Sequence, residues 1–208
     1  KNLKIIEDDK IKLLYDPIIE VNTINLQRRK KGTTETKGYY LAAGRLTKQK
    51  NFLFLCKAFH KIVLKYPKLK LIIAGEGEDK KSILSYIEKN DLKKNIFLTG
   101  YVKNIFPLMS KAEAFILSSL WEDPGFVLIE AAFCRTLVLS SNCNTGPKEI
   151  IQDNVNGILF ESNNLESFID KFEVLILKKD KQNLLLNNLI NSKKFTQFNH
   201  YKNFKEIL

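Results

Sequence analysis

The stretch that decides the fold runs Tyr39-Tyr-Leu-Ala-Ala-Gly-Arg-Leu-Thr-Lys-Gln-Lys-Asn-Phe-Leu-Phe-Leu-Cys-Lys-Ala-Phe-His-Lys-Ile-Val-Leu-Lys-Tyr-Pro-Lys-Leu-Lys-Leu-Ile-Ile-Ala74. Tyr39 to Ala43 is an apolar run too short for a helix and predicts a strand. Gly44 to Lys50 is a polar loop. From Phe52 to Lys65 the apolar residues include Leu55, Ala58, Phe59, Ile62 and Val63, the spacing of one helix face, and Pro67 stops that helix. Leu69 to Ala74 is almost continuously apolar, which suits a strand covered on both faces. Strand, helix and strand in this order form the unit from which parallel sheets are built.

The pattern continues outward. Gly75-Glu-Gly77 turns into a helix predicted from about Lys80 to Lys89, and further strands are expected at Ile96–Leu98, Ala114–Leu117, Thr136–Ser140 and Gly157–Phe160. Short helices are expected near Ile105–Ser110 and Pro147–Ile151, and longer ones at Leu165–Leu177, Lys181–Leu189 and His200–Leu208. The expected fold class is therefore α/β, a doubly wound, Rossmann-like parallel sheet whose ligands bind outside the carboxyl ends of the strands. The other end of the chain reads differently. A strand is expected at Ile11–Tyr15, closed by Asp16-Pro17, and Val21–Lys31 leads as linker into the polar run Gly32–Lys37. The expected division is thus 1–37 as the end of a preceding domain with its linker, 38–190 as the Rossmann-like domain and 191–208 as a terminal helical segment. A start at Lys1 without Met suggests a piece of a longer protein.

Composition narrows the class. A length of 208 residues with 44% hydrophobic content suits a substantial core. No run approaches the roughly eighteen apolar residues of a membrane span, and the start is neither a signal nor a transit peptide. Cys56, Cys134 and Cys143 are widely spaced and odd in number, which points to reduced core thiols rather than a disulfide framework or zinc site. His60 and His200 have no ligand cluster around them, so no metal site is expected. The net charge of +11 raises nucleic acid and anionic lipid as partners. The cations are mostly Lys, spread along the chain opposite apolar residues, which reads as a solvated surface; nucleic acid is not an expected partner.

A second stretch carries the chemistry: Ser118-Ser-Leu-Trp-Glu-Asp-Pro-Gly-Phe-Val-Leu-Ile-Glu-Ala-Ala-Phe-Cys134. Its first half is polar and turn-forming, its second half apolar but for Glu130. It predicts a loop feeding a buried helix whose first-turn amides are free to receive an anion, with Glu122 and Glu130 bordering one pocket. Burying Glu130 without a donor costs at least a few kcal/mol, so a partner for it is expected. Arg45 and Lys50, in the loop after the first strand, lie at the ligand end of the sheet, where Arg grips phosphate as a fork and Lys acts as a point charge.

Glu122, seven intervening residues and Glu130, with Gly125-Phe126 between them, resemble the signature of the family-4 retaining glycosyltransferases, which have the two-Rossmann-domain architecture called GT-B. Gly44-Arg-Leu, three residues and Lys50-Asn51 resemble the phosphate element of the same family. The resemblance runs from about Tyr39 to the end and includes Thr99-Gly-Tyr-Val-Lys103, Gly146-Pro-Lys-Glu149 and Asn156-Gly157. The family's usual Glu-Gly-Phe-Gly core is here Glu122-Asp-Pro-Gly125.

The resemblance implies the donor-binding half of such an enzyme. Arg45 and Lys50 would neutralise the donor diphosphate in place of a metal, and Glu122 would orient the sugar; these are the residues expected to act in catalysis. Gly44, Gly75, Tyr101, Val102, Lys103, Gly125, Phe126, Val127 and Glu130 would bind the donor, Glu130 at the ribose and Tyr101–Lys103 along the base. No cofactor is expected, only a UDP- or GDP-sugar as substrate. The acceptor, a glycan or lipid-linked sugar in surface polysaccharide or lipopolysaccharide synthesis, would be held by a missing N-terminal domain. The implied setting is the cytoplasm, with peripheral contact on the inner membrane face as a further expectation. The residues themselves leave other readings open. One is a non-catalytic nucleotide-binding module. Another is a nicotinamide enzyme, disfavoured because position 80 is Lys where a third glycine would stand. Glu149 is expected either to meet the phosphate-loop cations or to be a surface charge, and Trp121 either to line the sugar pocket or to pack.

Overall fold

The computed structural model describes residues 12–30 and 38–207. In chain order the elements are α1 (Val21–Arg29), β1 (Tyr39–Ala43), α2 (Phe52–Lys65), β2 (Lys70–Ala74), α3 (Lys80–Lys89), β3 (Ile96–Gly100), α4 (Phe106–Lys111), β4 (Ala114–Leu117), α5 (Val127–Phe133), β5 (Leu137–Ser141), α6 (Pro147–Ile150), β6 (Ile158–Phe160), α7 (Leu165–Leu177), α8 (Gln182–Ser192) and α9 (Gln197–Ile207). The strands form one sheet in the order β3-β2-β1-β4-β5-β6, every neighbouring pair parallel. The order reverses between β1 and β4, and the loops leaving their carboxyl ends diverge there to open a crevice.

Strand periodicity places the core. Tyr40, Ala42, Leu71, Ile73, Ala114, Ile116 and Leu139 pack on one face with residues of α2, α3 and α7. Their alternates Tyr39, Leu41, Ile72, Phe115, Leu117 and Val138 pack on the other with α4, α5 and α6. Both faces are covered, which explains why these strands read as continuous apolar runs and not as alternating ones. Tyr39 is fully buried and its hydroxyl donates to Leu108 O at 2.7 Å, so the one polar atom of that side chain is satisfied.

The amino-terminal segment differs from expectation. Lys12 to Tyr15 is not a strand; Gly32 to Lys37 and Ile11 lie outside the described residues. Val21 to Arg29, read as linker, is the helix α1. Its first half, Val21-Asn-Thr-Ile-Asn25, is poor in helix formers, and tertiary contacts override that. Ile24 is buried, Asn104 Nδ2 donates to Gln27 O and Oε1 at 3.2 and 3.0 Å, and Arg28 Nη1 donates to Phe133 O at 3.4 Å. Ile19 then bridges Thr196, with Ile19 N donating to Phe195 O at 3.1 Å, so this segment lies along the carboxyl-terminal part of the chain. Elsewhere the expected elements are present, several with both ends as expected and the rest with ends shifted by up to three residues.

Gly75, expected among the donor-binding residues, also permits close approach to another loop. A Cβ at Gly75 would lie 1.8 Å from Gly44 O, and one at Gly77 would lie 2.4 Å from Leu46 O. The contact is fixed by Gly44 N donating to Ala74 O at 3.0 Å, Gly75 N to Gly100 O at 2.8 Å and Leu46 N to Glu76 O at 2.9 Å. Backbone on both sides leaves no side chain to yield. Replacing Gly75 by Ala is expected to destabilise the fold by about 3 kcal/mol or more, the range of an overpacked site that cannot relax, read as a lowered midpoint in chemical denaturation.

Candidate functional site

At the carboxyl ends of β1 and β2 lies a cleft of about 570 Å³ lined by Ala43, Gly44, Arg45, Lys50, Ala74, Gly75, Glu76, Tyr101, Val102, Ile105, Val127 and Glu130. The reversal of strand order puts it where the β1–α2 loop, the β2–α3 turn, the segment after β3 and the first turn of α5 meet. Of the expected site residues, Gly44, Arg45, Lys50, Gly75, Tyr101, Val102, Val127 and Glu130 are brought together in it. Lys103 is exposed and outside the lining. Gly125 is buried beneath Glu122, whose Cγ would be 3.5 Å from a Cβ there, and Phe126 lines a different hollow with Pro124, Leu13 and Phe195.

Glu122 reaches the cleft through Lys50. It is 5% exposed, and its Oε1 accepts from Lys50 Nζ at 2.5 Å and from Ser119 Oγ at 2.5 Å. Lys50 is therefore a shared group, lining the cleft with its chain while its ammonium holds a buried carboxylate. An ammonium has three donors, so two remain for a ligand. The two loops that carry this pair are stitched together by backbone as well. Ser118 Oγ donates to Lys50 O at 2.8 Å, Leu120 N to Gln49 O at 2.8 Å and Gln49 Nε2 to Trp121 O at 3.0 Å. Trp121 is 47% exposed and not part of the cleft lining.

Glu130 differs. Among the described residues nothing donates to its side chain, contrary to the partner expected from its apolar surroundings, and burial pushes its carboxyl above the ordinary value. Partial exposure to the cleft is what makes this tolerable, since water or a ligand supplies the missing donors. Arg45, exposed at the opposite wall, also has no ion-pair partner among the described residues. Glu76 is paired with Lys80 at 2.8 Å. The amides of Gly125, Phe126 and Val127, just before and at the start of α5, have no acceptor within it, as helix geometry requires. Glu149 is exposed beside Pro124 and Phe126 and bonds neither Arg45 nor Lys50.

Ala43, Ala74, Glu76 and Ile105 line the cleft without having been expected there. Ala43 and Ala74 are strand-terminal positions, so the rule that ligands sit at strand ends contained the signal; nothing in the sequence marked Ile105. Ser119, buried and bonded to Glu122, was part of the quoted stretch but had no role assigned. The three cysteines are free and buried, and among the described residues no helix is long and apolar enough to cross a membrane.

A doubly wound parallel sheet with cations and carboxylates gathered at its switch point defines a class of α/β proteins that take ligands at that edge. The family model for glycosyl transferases group 1 matches residues 23–192, and the chain belongs to that family, whose fold is GT-B. It is 35% identical over 141 residues to an uncharacterized glycosyltransferase of Methanocaldococcus jannaschii, a match covering 68% of this chain and 35% of that one. It is 32% identical over 143 residues to the N-acetylgalactosamine-N,N'-diacetylbacillosaminyl-diphospho-undecaprenol 4-alpha-N-acetylgalactosaminyltransferase of Campylobacter jejuni, covering 69% and 38%. Among solved structures, HepE of Anabaena in complex with UDP superposes with a TM-score of 0.78 at 19% identity, covering 94% of this chain and 56% of that one. The chain thus spans little more than a third of the length of these curated relatives.

The raised carboxyl of Glu130 has a measurable sign. A group that binds its proton more tightly in the folded state stabilises the fold while protonated, and that contribution falls away as pH rises from the ordinary carboxylate value through the folded one. Glu130→Gln is therefore expected to raise the stability of the ligand-free protein at neutral pH and to leave it nearly unchanged in acid, where the carboxyl is protonated in both states. Chemical denaturation of both proteins at the two pH values checks this.

Proposed function

We propose that the cleft binds the nucleotide diphosphate of an activated sugar and that the chain is the donor-binding part of a retaining glycosyltransferase. The observation that carries this reading is the set of unpartnered groups in one cleft. Arg45 has no ion-pair partner among the described residues, Lys50 keeps two donors free, and Glu130 has no donor. A diphosphate supplies the acceptors the cations want, and ribose hydroxyls supply the donors Glu130 wants.

The chemistry follows from where these groups sit. Breaking the bond between sugar and diphosphate leaves charge on the departing phosphate oxygens. Arg45, Lys50 and the amides about Gly125, Phe126 and Val127 would stabilise that charge. Each such donor is typically worth about 3 kcal/mol when removed. Glu122, held by Lys50, would take a hydroxyl of the sugar, and Tyr101 and Val102 would lie along the base. The cations make the diphosphate site workable without a divalent metal. The sugar is proposed to be a hexose or its acetamido derivative, and the acceptor a glycan or lipid-linked sugar at a membrane surface. The Campylobacter relative, whose name specifies a diphospho-undecaprenol acceptor, supports this class.

Calorimetric titration with UDP, GDP, ADP and their sugar conjugates, with and without magnesium, tests the reading. Selective binding that does not need the metal is expected, weakened at least tenfold by Glu130→Ala through loss of a charge-assisted hydrogen bond. In the intact enzyme Lys50→Ala or Arg45→Ala is expected to lower turnover by about a hundredfold. Absence of nucleotide binding, or near-normal turnover in both variants, would overturn the assignment.

A further inference from the structure

The carboxylate of Glu122 is held asymmetrically. Both of its donors, Lys50 Nζ and Ser119 Oγ, converge on Oε1 at 2.5 Å. Oε2 has no partner among the described residues and is not wholly sealed from solvent, although Glu122 itself is 5% exposed. A carboxylate buried for structural reasons alone gains most when both oxygens are satisfied. Here one oxygen is doubly satisfied and the other is kept for something else.

Of the two donors, Ser119 is the rigid one. It is fully buried, and its carbonyl accepts from Ser141 Oγ at 2.7 Å and Ser162 Oγ at 3.3 Å. Lys50 is long and lines the cleft, free to lean toward an incoming phosphate. The backbone of Glu122 is fixed independently. Thr145 Oγ1 lies 2.5 Å from Glu122 O, and Gly146 sits so close that a Cβ there would be 2.3 Å from Pro124 O. The loop is thus clamped from outside, and a short buried hydroxyl sets the last rotatable bonds of the side chain.

We propose that Ser119 is a positioning residue for donor recognition. By holding Oε1 it aims Oε2 at a hydroxyl of the transferred sugar, and it does so after Lys50 has been drawn to the diphosphate. The proposal rests on the donor-binding reading above and adds to it a residue that contacts neither sugar nor nucleotide. With Ser119 replaced by Ala, the carboxylate keeps Lys50 but is free to rotate, and Oε2 loses its fixed direction.

The consequence is a split between two ligands of the same cleft. In the intact protein, Ser119→Ala is expected to weaken binding of UDP-glucose, UDP-N-acetylglucosamine or GDP-mannose, whichever the unsubstituted protein takes, by about tenfold, the value of a hydrogen bond to a charged group. Binding of the matching UDP or GDP should stay within about twofold, because neither Ser119 nor Glu122 lines the cleft and the groups that do, Arg45, Lys50 and Glu130, are unchanged. A role confined to stability would move both ligands together. Equal weakening of both, or no change in either, overturns the role of Ser119 and leaves the donor-binding reading standing. Failure of the unsubstituted protein to take any of these nucleotides overturns that reading and this proposal with it.

Discussion

The structure depends on the lateral pairing of β1 with β4. These strands are separated in sequence by two strand-and-helix units, yet Tyr40 pairs with Ala114 and Leu41 with Phe115. Because both run parallel, their carboxyl ends come out side by side, and Lys50 and Glu122 end 2.5 Å apart across a separation of 72 residues. The sheet grows away from this pair in both directions. No helix can therefore cover the space above it, and the loops and the first turn of α5 that border the space bring the polar groups to it.

Burial and charge are arranged consistently around that point. Lys50 and Glu122 are both withdrawn from solvent, with side chains 16% and 6% exposed, and such a pair is tolerable only with further hydrogen bonds. Ser119 supplies one, and the bonds between the Gln49–Lys50 and Ser118–Trp121 segments fix the geometry in which the pair forms. Glu130 and Arg45 stand outside this network. Their lack of ion-pair partners among the described residues would be a defect in a structural core, and at the mouth of a cleft it is the property that makes a site receptive.

Much of the fold was legible before any coordinate. The apolar runs at Tyr39–Ala43 and Leu71–Ala74 have no polar alternation because helices cover both faces, and that physical reason is visible in sequence. So was the placement of Arg45, Lys50 and Glu130, since residues following parallel strands collect at one edge of the sheet. The helix α1 was not legible: its Val, Asn, Thr and Ile residues carry no local helix signal, and its stability comes from burial of Ile24 and from Gln27 and Arg28 meeting Asn104 and the end of α5. The partner of Glu122 was also beyond reach, because a pairing over 72 residues has no periodicity to betray it.

By itself, then, the sequence determined the alternating architecture, the edge at which a ligand binds and the residue types that gather there, all consequences of short-range periodicity and of strand direction. Tertiary structure alone decided which carboxylate is paired and which is open. On paper Glu122 lay in the polar half of its stretch, and Glu130, in the apolar half, was the carboxylate expected to have a donor. Only the closing of β4 against β1 brings Lys50 and Ser119 onto the first, while the first turns of α5 leave the second facing the cleft with burial and no donor. The glycine contact between Gly44 and Gly75 belongs to the same category, since the sterics that require it come from a neighbouring loop and not from the turn itself.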